Sequence, residues 1–206
     1  MSELRPTLTF LGTGTSQGVP VIACDCEVCL SPSPKDNRTR SSVLIEVDEK
    51  TIAIDTGPDF RTQMLRENVQ HLNAVLYTHD HKDHLAGMDD VRAFCFKQKM
   101  AMPIYASKEV QASLKREFPY AFVPKEDRYP GAPSIDLKQI DYSPFDVEGF
   151  NVVPIKVQHG KQFIHGFRFG DVTYITDANH IAPEEMEKIR GSKVLVINAL
   201  RPQPHH

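Results

Sequence analysis

Short apolar runs recur along the chain, each closed by Gly, Pro, Asn or Asp, and no apolar stretch reaches the length of a membrane-spanning helix. TLTFLG (7–12) predicts a strand ending at Gly12. SVLIEVD (42–48) and TIAID (51–55) predict a hairpin turning at Glu49 and Lys50. AVLYT (74–78) and KVLVIN (193–198) predict buried strands. NVVPIKV (151–157) contains Pro154, which belongs on an edge strand or at a bulge. FIHGFRFG (163–170) and DVTYIT (171–176) predict a second hairpin about Gly170 and Asp171.

Helical spacing appears between these runs. The predicted helices cover 58–67, 89–97, 107–117 and 183–190. The second places Val91, Phe94 and Cys95 on one face, and the third has Ser107 as its cap with Val110 and Leu114 inward. The fourth has Pro183 first, Glu184 and Glu185 in its first turn, and Gly191 just past its end. Residues 119–136 carry Pro119, Pro124, Pro130 and Pro133 and read as a long loop, placed over a site. Strands come in hairpins rather than in strict β-α-β alternation, so the order predicts packed sheets with helices outside.

Composition narrows the possibilities. With 206 residues and roughly 150 per domain, one domain is expected. Lys plus Arg is 24 against 27 Asp plus Glu, a net charge of −3, which argues against a polycationic coat for nucleic acid or a polybasic membrane anchor. The start MSELRPTLTF has no long apolar core of a secretory signal, which points to the cytoplasm. Four cysteines are too few for a disulfide scaffold of this length.

Three motifs carry candidate chemistry. GTGTSQG (12–18) follows the first strand, but its third glycine falls at Gly18 instead of Gln17, so the dinucleotide-binding spacing fails. The remaining reading is a place where backbone approaches another element closely. After AVLYT comes H-x-H-x-D-H: His79, His81, Asp83 and His84. Extended backbone puts His79 and His81 on one side, and a turn brings Asp83 and His84 to a neighbouring point, which suits two metal ions. His159, Asp177 and Asp55 each sit at or just beyond the end of an apolar strand, where a scaffold presents functional groups. Asp55 is read as a carboxylate that orients a ligand histidine. Cys24, Cys26 and Cys29 form C-x-C-x-x-C, a zinc pattern, while Cys95 reads as core. His71, His165 and His180 lack partners at ligand spacing and read as surface or hydrogen-bonded histidines. Arg38, Arg40 and Arg92 suit either phosphate contacts or ordinary ion pairs.

The opening GTGTSQGVP, the H-x-H-x-D-H loop, His159 and Asp177 together resemble the metallo-β-lactamase superfamily over nearly the whole chain. That resemblance implies an α/β (α+β) four-layer αββα sandwich with a metal site at one edge. It implies that His79, His81 and His159 hold one metal, that Asp83 and His84 hold a second, and that Asp177 bridges both. Asp rather than Cys at 177 speaks against the β-lactam-hydrolysing branches, and His rather than Glu at 81 against the diiron flavoprotein branch. With CDCEVC added, the chain is similar to the phosphoribosyl 1,2-cyclic phosphate phosphodiesterases and their relatives, in which the cysteine triplet holds a structural zinc. NRTRSSVLIEV (37–47) and GMDDVRAF (87–94) also look like stretches of that group. The group carries a late T-H-x-x-H segment supplying two more ligands. This chain ends RPQPHH, so the expectation is one domain over 1–206 lacking its C-terminal end, with His205 and His206 near that region.

The function expected is a dinuclear metal-dependent hydrolase of phosphodiesters acting on a small cyclic phosphate or nucleotide. Its expected cofactors are two divalent ions, zinc or manganese, with one structural zinc. Asp83 and Asp177 are the expected catalytic carboxylates. The alternatives are a ribonuclease of the tRNA 3′-end-processing type and a metal-binding protein without turnover. A membrane partner is not expected, nucleic acid is disfavoured, and a homodimer is compatible with the sequence.

Overall fold

Alternate residues of the central strands face two different apolar layers, and this decides the architecture. The computed structural model describes residues 5–200. The first sheet has the order β1 (Thr7–Gly12), β2 (Ser42–Val47), β3 (Lys50–Ile54), β4 (Ala74–Leu76), β5 (Met102–Ala106), β6 (Ile135–Gln139). Its first three strands are antiparallel, and β3 to β6 run parallel. Val43, Ile45, Ile52, Ile54, Ala74 and Leu76 point towards the second sheet. Their neighbours Leu44, Ala53 and Val75 point the other way, into a core shared with helices. Strands covered on both faces have no polar face to show, which explains their near-continuous apolar runs.

The helices of that outer layer are α1 (Phe60–Arg66), α2 (Lys82–Leu85), α3 (Arg92–Gln98) and α4 (Lys108–Glu117). They contribute Phe60, Met64, Leu85, Phe94, Cys95, Val110 and Leu114 to the first core. Ser107 caps α4, its hydroxyl accepting from the Val110 N–H at 3.3 Å.

The second sheet runs β11 (His180–Ile181), β8 (Phe150–His159), β9 (Gln162–Phe169), β10 (Val172–Tyr174), β12 (Val194–Val196), with β7 (Phe145–Val147) also on β8. Its outer face packs on α5 (Pro183–Ile189) through Ile155, Val157, Ile164 and Ile189. The layers are therefore helices, sheet, sheet, helix: an αββα sandwich.

Several local expectations need correction. The first hairpin turns at Asp48 and Glu49, both left-handed (φ 47° and 63°), with Val47 opposite Lys50. Two left-handed residues give the turn the twist that neighbouring strands require. The proline-rich stretch holds short 3-10 turns at Pro119–Ala121 and Lys125–Asp127 and runs into β6 at Ile135, and none of its described side chains lines the site cavity described below. The strand expected to be buried at 193–198 is β12, which pairs only with β10; Val194 and Leu195 are 46% and 47% exposed because nothing among the described residues covers that edge.

Pro154 sits where sequence logic places it. On the outer edge of β8, β7 pairs with 150–152 and β11 with Val157 and Gln158, leaving a gap around Pro154. There α5 substitutes for a strand: Glu185 accepts from the Lys156 N–H at 2.8 Å and Lys188 donates to the Pro154 carbonyl at 3.3 Å. Glu185→Ala should leave a backbone N–H unpaired and lower stability by roughly 1–3 kcal/mol. Denaturant unfolding checks this, and an unchanged midpoint would show that β8 does not need its helical partner.

Candidate metal centre

The site begins with a carboxylate that has no access to water. Asp55 follows β3 directly, is fully buried and left-handed (φ 65°), a conformation that Asp tolerates better than most residues. Its N–H donates to the Leu76 carbonyl at 2.9 Å. Its carboxylate accepts from the Thr78 N–H and hydroxyl, both at 2.8 Å, and lies 2.7 Å from His84 Nδ1. Asp55, expected to orient a ligand histidine, lies against His84, and Thr78 joins them although no motif in the chain marks it.

Two glycines let this happen. A Cβ on Gly57 would lie 2.1 Å from the Asp83 carbonyl oxygen, and one on Gly87 would lie 2.2 Å from the Gly57 carbonyl oxygen. Short α2 therefore packs directly on the segment after β3, with Thr56 N–H donating to His84 O and Gly87 N–H to Thr56 O, each at 2.8 Å. Gly12 and Gly14 work similarly at the other wall, where added Cβ atoms would meet Arg40 O at 2.0 Å and Arg38 O at 2.6 Å. The glycine run is a close backbone approach, as its failed dinucleotide spacing implies.

The second sheet supplies the remaining groups. His159 ends β8 and Asp177 follows β10, again left-handed (φ 56°). The ligand atoms of His79, His81 and His159 lie within 4.8 Å of one another, as do those of His79, His84 and Asp177. His159 Nε2 is 3.3 Å from His81 Nδ1. His84 Nε2 is 2.9 Å from Asp177 and 3.3 Å from Asp83, while His79 Nε2 is 3.5 Å from Asp177. All six residues expected as metal ligands thus converge, three histidines on one side and Asp83 and His84 on the other, with Asp177 beside His79 and His84.

The donors fit a cation. His79 Nε2 is buried without a hydrogen-bond partner, an arrangement that buried polar atoms normally avoid. Thr78 fixes the His79 ring through Nδ1 at 2.9 Å, so the free nitrogen faces Asp177 and the other histidines. Burial, and then the charge of His84, hold His79 well below the usual histidine range, which keeps its nitrogen available as a ligand. His84 goes the other way: burial opposes its charge, but Asp55, Asp177 and Asp83 outweigh burial and raise it well above the usual range. Burial likewise opposes ionisation of Asp177, yet the hydrogen bond and charge of His84 hold its carboxyl far below the ordinary value.

The cysteines form a separate group. The Sγ atoms of Cys24, Cys26 and Cys29 lie within 4.8 Å of one another on an irregular, largely exposed loop. The Cys29 backbone N–H, with the other two thiols, lowers the Cys26 thiol, which favours a thiolate there. Cys29 Sγ also accepts from the Val21 N–H at 3.3 Å. Cys95 is core, as expected. His205 and His206 lie outside the described residues.

Other expectations divide. Arg40 is committed to Asp59, with Nη1 at 3.1 and 3.0 Å from its two oxygens, and Arg92 pairs with Asp89 at 3.0 Å. Arg38 lines the same cavity as the cluster. His165 is buried, its ring stacked on Tyr142 at 4.4 Å. The cavity measures about 540 Å³ and is lined by His81, Asp83, His159 and Asp177 together with the glycine loop and the end of β12.

The sequence model of the beta-lactamase superfamily domain matches residues 50–206. The chain belongs to this superfamily. A diphosphatase of the PhnP family, known from its crystal structure, is 40% identical, with a TM-score of 0.90 over 98% of this chain and 77% of that one. The chain is thus similar over nearly its whole length to a PhnP-family protein, and the fold implies divalent metal ions at the His/Asp cluster. Zn(2+)-bound PqqB from Methylobacterium extorquens is 18% identical with a TM-score of 0.72 over 94% of this chain and 72% of that one, a likeness of fold. An octanoyltransferase of Porphyromonas gingivalis (strain ATCC BAA-308 / W83) is 40% identical over 199 residues, 96% of this chain. The chain spans 40% of the length of that curated relative. No helix among the described residues is long and apolar enough to cross a membrane.

Two tests follow from this geometry. Asp55→Ala should weaken zinc or manganese binding by roughly 10–100-fold, because His84 loses the group that orients it. Competition with a chromophoric chelator measures this, and unchanged affinity would remove Asp55 from the site. Because both His84 nitrogens face carboxylates, a proton there must leave when a cation takes Nε2. Metal affinity should therefore rise with pH and fall on acidification, with proton release seen by calorimetry in buffers of different ionisation enthalpy.

Proposed function

We propose that the protein hydrolyses a small phosphodiester, such as a cyclic phosphate or a nucleotide, with two divalent ions in the His/Asp cluster. The observation that carries this reading is the meeting of two ligand groups at Asp177, three histidines on one side and Asp83 with His84 on the other. When bound, two such ions supply a nucleophile from water near neutral pH and neutralise charge on a phosphate. Zinc, manganese and iron all suit a mixed imidazole and carboxylate set.

The chain's own residues do the positioning. His79, His81 and His159 would hold one ion, and Asp83 and His84 the other. Asp177, 2.9 Å from His84 and 3.5 Å from His79, would span the pair. Asp55 fixes the His84 ring, and Thr78 fixes both Asp55 and His79. Asp83 lines the cavity and would help orient the attacking water. Cys24, Cys26 and Cys29 would hold a structural zinc, which gives an irregular loop a fixed shape.

The diphosphatase relative supports chemistry at phosphorus. Acyl transfer is not carried over, since the octanoyltransferase is matched over only 40% of its length. A tRNA-trimming activity would need a basic arm for a polyanion. Residues 119–136 hold Lys125 and Arg128 against Glu126, Asp127 and Asp136, and none of their described side chains lines the cavity.

The substrate reading is tested with bis(p-nitrophenyl) phosphate or a five-membered cyclic phosphate. Each should be cleaved faster than a phosphomonoester, a lactone or a β-lactam, and fastest cleavage of a lactone or thioester would overturn the assignment. Asp177→Ala should cost more activity than the roughly 10–100-fold typical of an outer partner of a metal ligand, with the fold intact by circular dichroism. The triple change Cys24→Ser, Cys26→Ser, Cys29→Ser should lose one zinc by elemental analysis and lower thermal stability. Equal zinc in both proteins would refute the structural site.

A further inference from the structure

His81 is the exposed histidine of the metal centre; His79 and His84 are buried and His159 is half-buried. Protein groups hold the two buried rings from behind: Thr78 at Nδ1 of His79, 2.9 Å, and Asp55 at Nδ1 of His84, 2.7 Å. His81 stands at the start of α2, where an unheld exposed ring would lose its rotamer freedom only when a cation took it up. Its Nδ1 is turned to His159, 3.3 Å from Nε2 of that ring. Its Nε2 is met by Gln162, whose Nε2 lies 3.1 Å away.

The hairpin of β8 and β9 brings Gln162 to this point. His159 and Gln162 are its closing pair, directly opposite each other in register, so both side chains leave the same face. Gly160 and Lys161 make the turn between them, with Gly160 left-handed (φ 58°). The turn is tied down twice. The Gly160 N–H donates to Oδ1 of Asn179 at 2.6 Å, and the Gly160 carbonyl accepts from the Gln158 amide at 3.1 Å. A metal ligand and the group that touches its neighbour His81 are thus presented by one anchored turn.

We propose that Gln162 is a positioning residue of the metal centre, its side-chain amide holding the His81 ring so that Nδ1 is offered to the cation. The inference rests on the reading of the His/Asp cluster as a metal centre and adds a residue that no motif marks. A carboxamide carries donors and an acceptor on one fork. With no proton on His81 Nε2, the amide nitrogen donates to it. A neutral ring that gives its Nδ1 lone pair to a cation carries its proton on Nε2. The amide, turned over about its last bond, then accepts from that N–H through Oε1. One side chain therefore serves the ring in both states. Gln162 takes no part in bond making or breaking.

Zinc binding to the full chain, measured by competition with a chromophoric chelator, tests this in Gln162→Leu, Gln162→Asn and Gln162→Glu. Leucine keeps the bulk and removes the polar head; asparagine keeps the head and loses a methylene of reach. Both should weaken the ion held by the three histidines about tenfold, the low end for an outer partner because water reaches an exposed ring. Gln162→Glu keeps an acceptor for the Nε2–H and should bind zinc at least as tightly as the unsubstituted protein, a rescue that a merely structural role would not give. The second readout is the imidazole N–H region of the NMR spectrum of nitrogen-15-labelled, zinc-loaded protein. The unsubstituted protein and Gln162→Glu should show an Nε2–H signal, protected from exchange with water, that is missing in Gln162→Leu. Zinc affinity within about twofold of the unsubstituted protein in both Gln162→Leu and Gln162→Asn, far short of the loss expected for an outer partner, would overturn the proposal. So would a loss in Gln162→Glu equal to that in Gln162→Leu, or identical N–H signals. If circular dichroism shows Gln162→Leu unfolded, Gln162→Asn decides in its place. If the unsubstituted protein binds no zinc, the metal-centre reading fails and this proposal with it. Zinc binding that ignores Gln162 leaves that reading standing and removes Gln162 alone.

Discussion

A carboxylate cut off from water must be surrounded by donors, and that requirement at Asp55 organises the molecule around it. Its carboxylate is met by Thr78 from the loop after β4 and by His84 from α2. Its backbone is held by Leu76 of β4 and by the Ser42 hydroxyl of β2, which donates to the Asp55 carbonyl at 3.0 Å. One residue therefore fixes two strands, a loop and a helix relative to each other. An isolated buried carboxylate would instead be driven to its neutral form, and burial does push Asp55 upward. The donors, His84 above all, offset that cost. A histidine bonded to Asp55 through Nδ1 can present only Nε2 to the cavity, so the buried charge also sets which nitrogen is offered to a metal.

Much of this was readable from sequence because it is local. His79, His81, Asp83 and His84 are neighbours in the chain, and alternation in the extended stretch brings His79 and His81 together, their rings 4.6 Å apart. The hairpins β2–β3 and β9–β10 were visible from apolar runs flanking two-residue turns. What escaped depends on contacts through space. Gly57 and Gly87 look like ordinary loop residues until α2 is laid across them. Strand β5, MPIYA, carries a proline and few residues, and β6 is hidden at the end of a proline-rich stretch; only pairing with β4 and with each other makes them strands. β12 misled for the opposite reason. Its apolar run reads as interior, but apolarity cannot distinguish a covered strand from an exposed edge.

The cluster straddles the two sheets. His79, His81, Asp83 and His84 come from the loop and helix after β4, whereas His159 and Asp177 come from the ends of β8 and β10. One backbone hydrogen bond crosses between the halves nearby, from His165 N–H in β9 to the Thr78 carbonyl at 3.0 Å. Thr78 is thus bound on one side to Asp55 and on the other to the second sheet. The sandwich core between the sheets is apolar and gives adhesion without fixing lateral register. The polar crossing at Thr78 supplies that register where the ligand groups meet.

This arrangement makes cation binding and sheet packing two aspects of one equilibrium. Groups from both sheets must reach a common point within a few ångströms, so any shear between sheets separates His159 and Asp177 from their partners. A cation that binds the assembled site and not the separated halves stabilises the packed state in proportion to the logarithm of its concentration over its dissociation constant. Asp55, Asp83 and Asp177 surround His84 and raise it well above the usual histidine range, so a cation taking Nε2 would replace a proton there. The Asp55 and Thr78 contacts lie behind these ligand groups and are made by protein atoms alone. The protein's own hydrogen bonds orient His79 and His84, and a bound cation would add cohesion at the edge where the two sheets meet through apolar packing, the His165–Thr78 backbone bond and the side-chain contacts of His81 with His159 and Gln162.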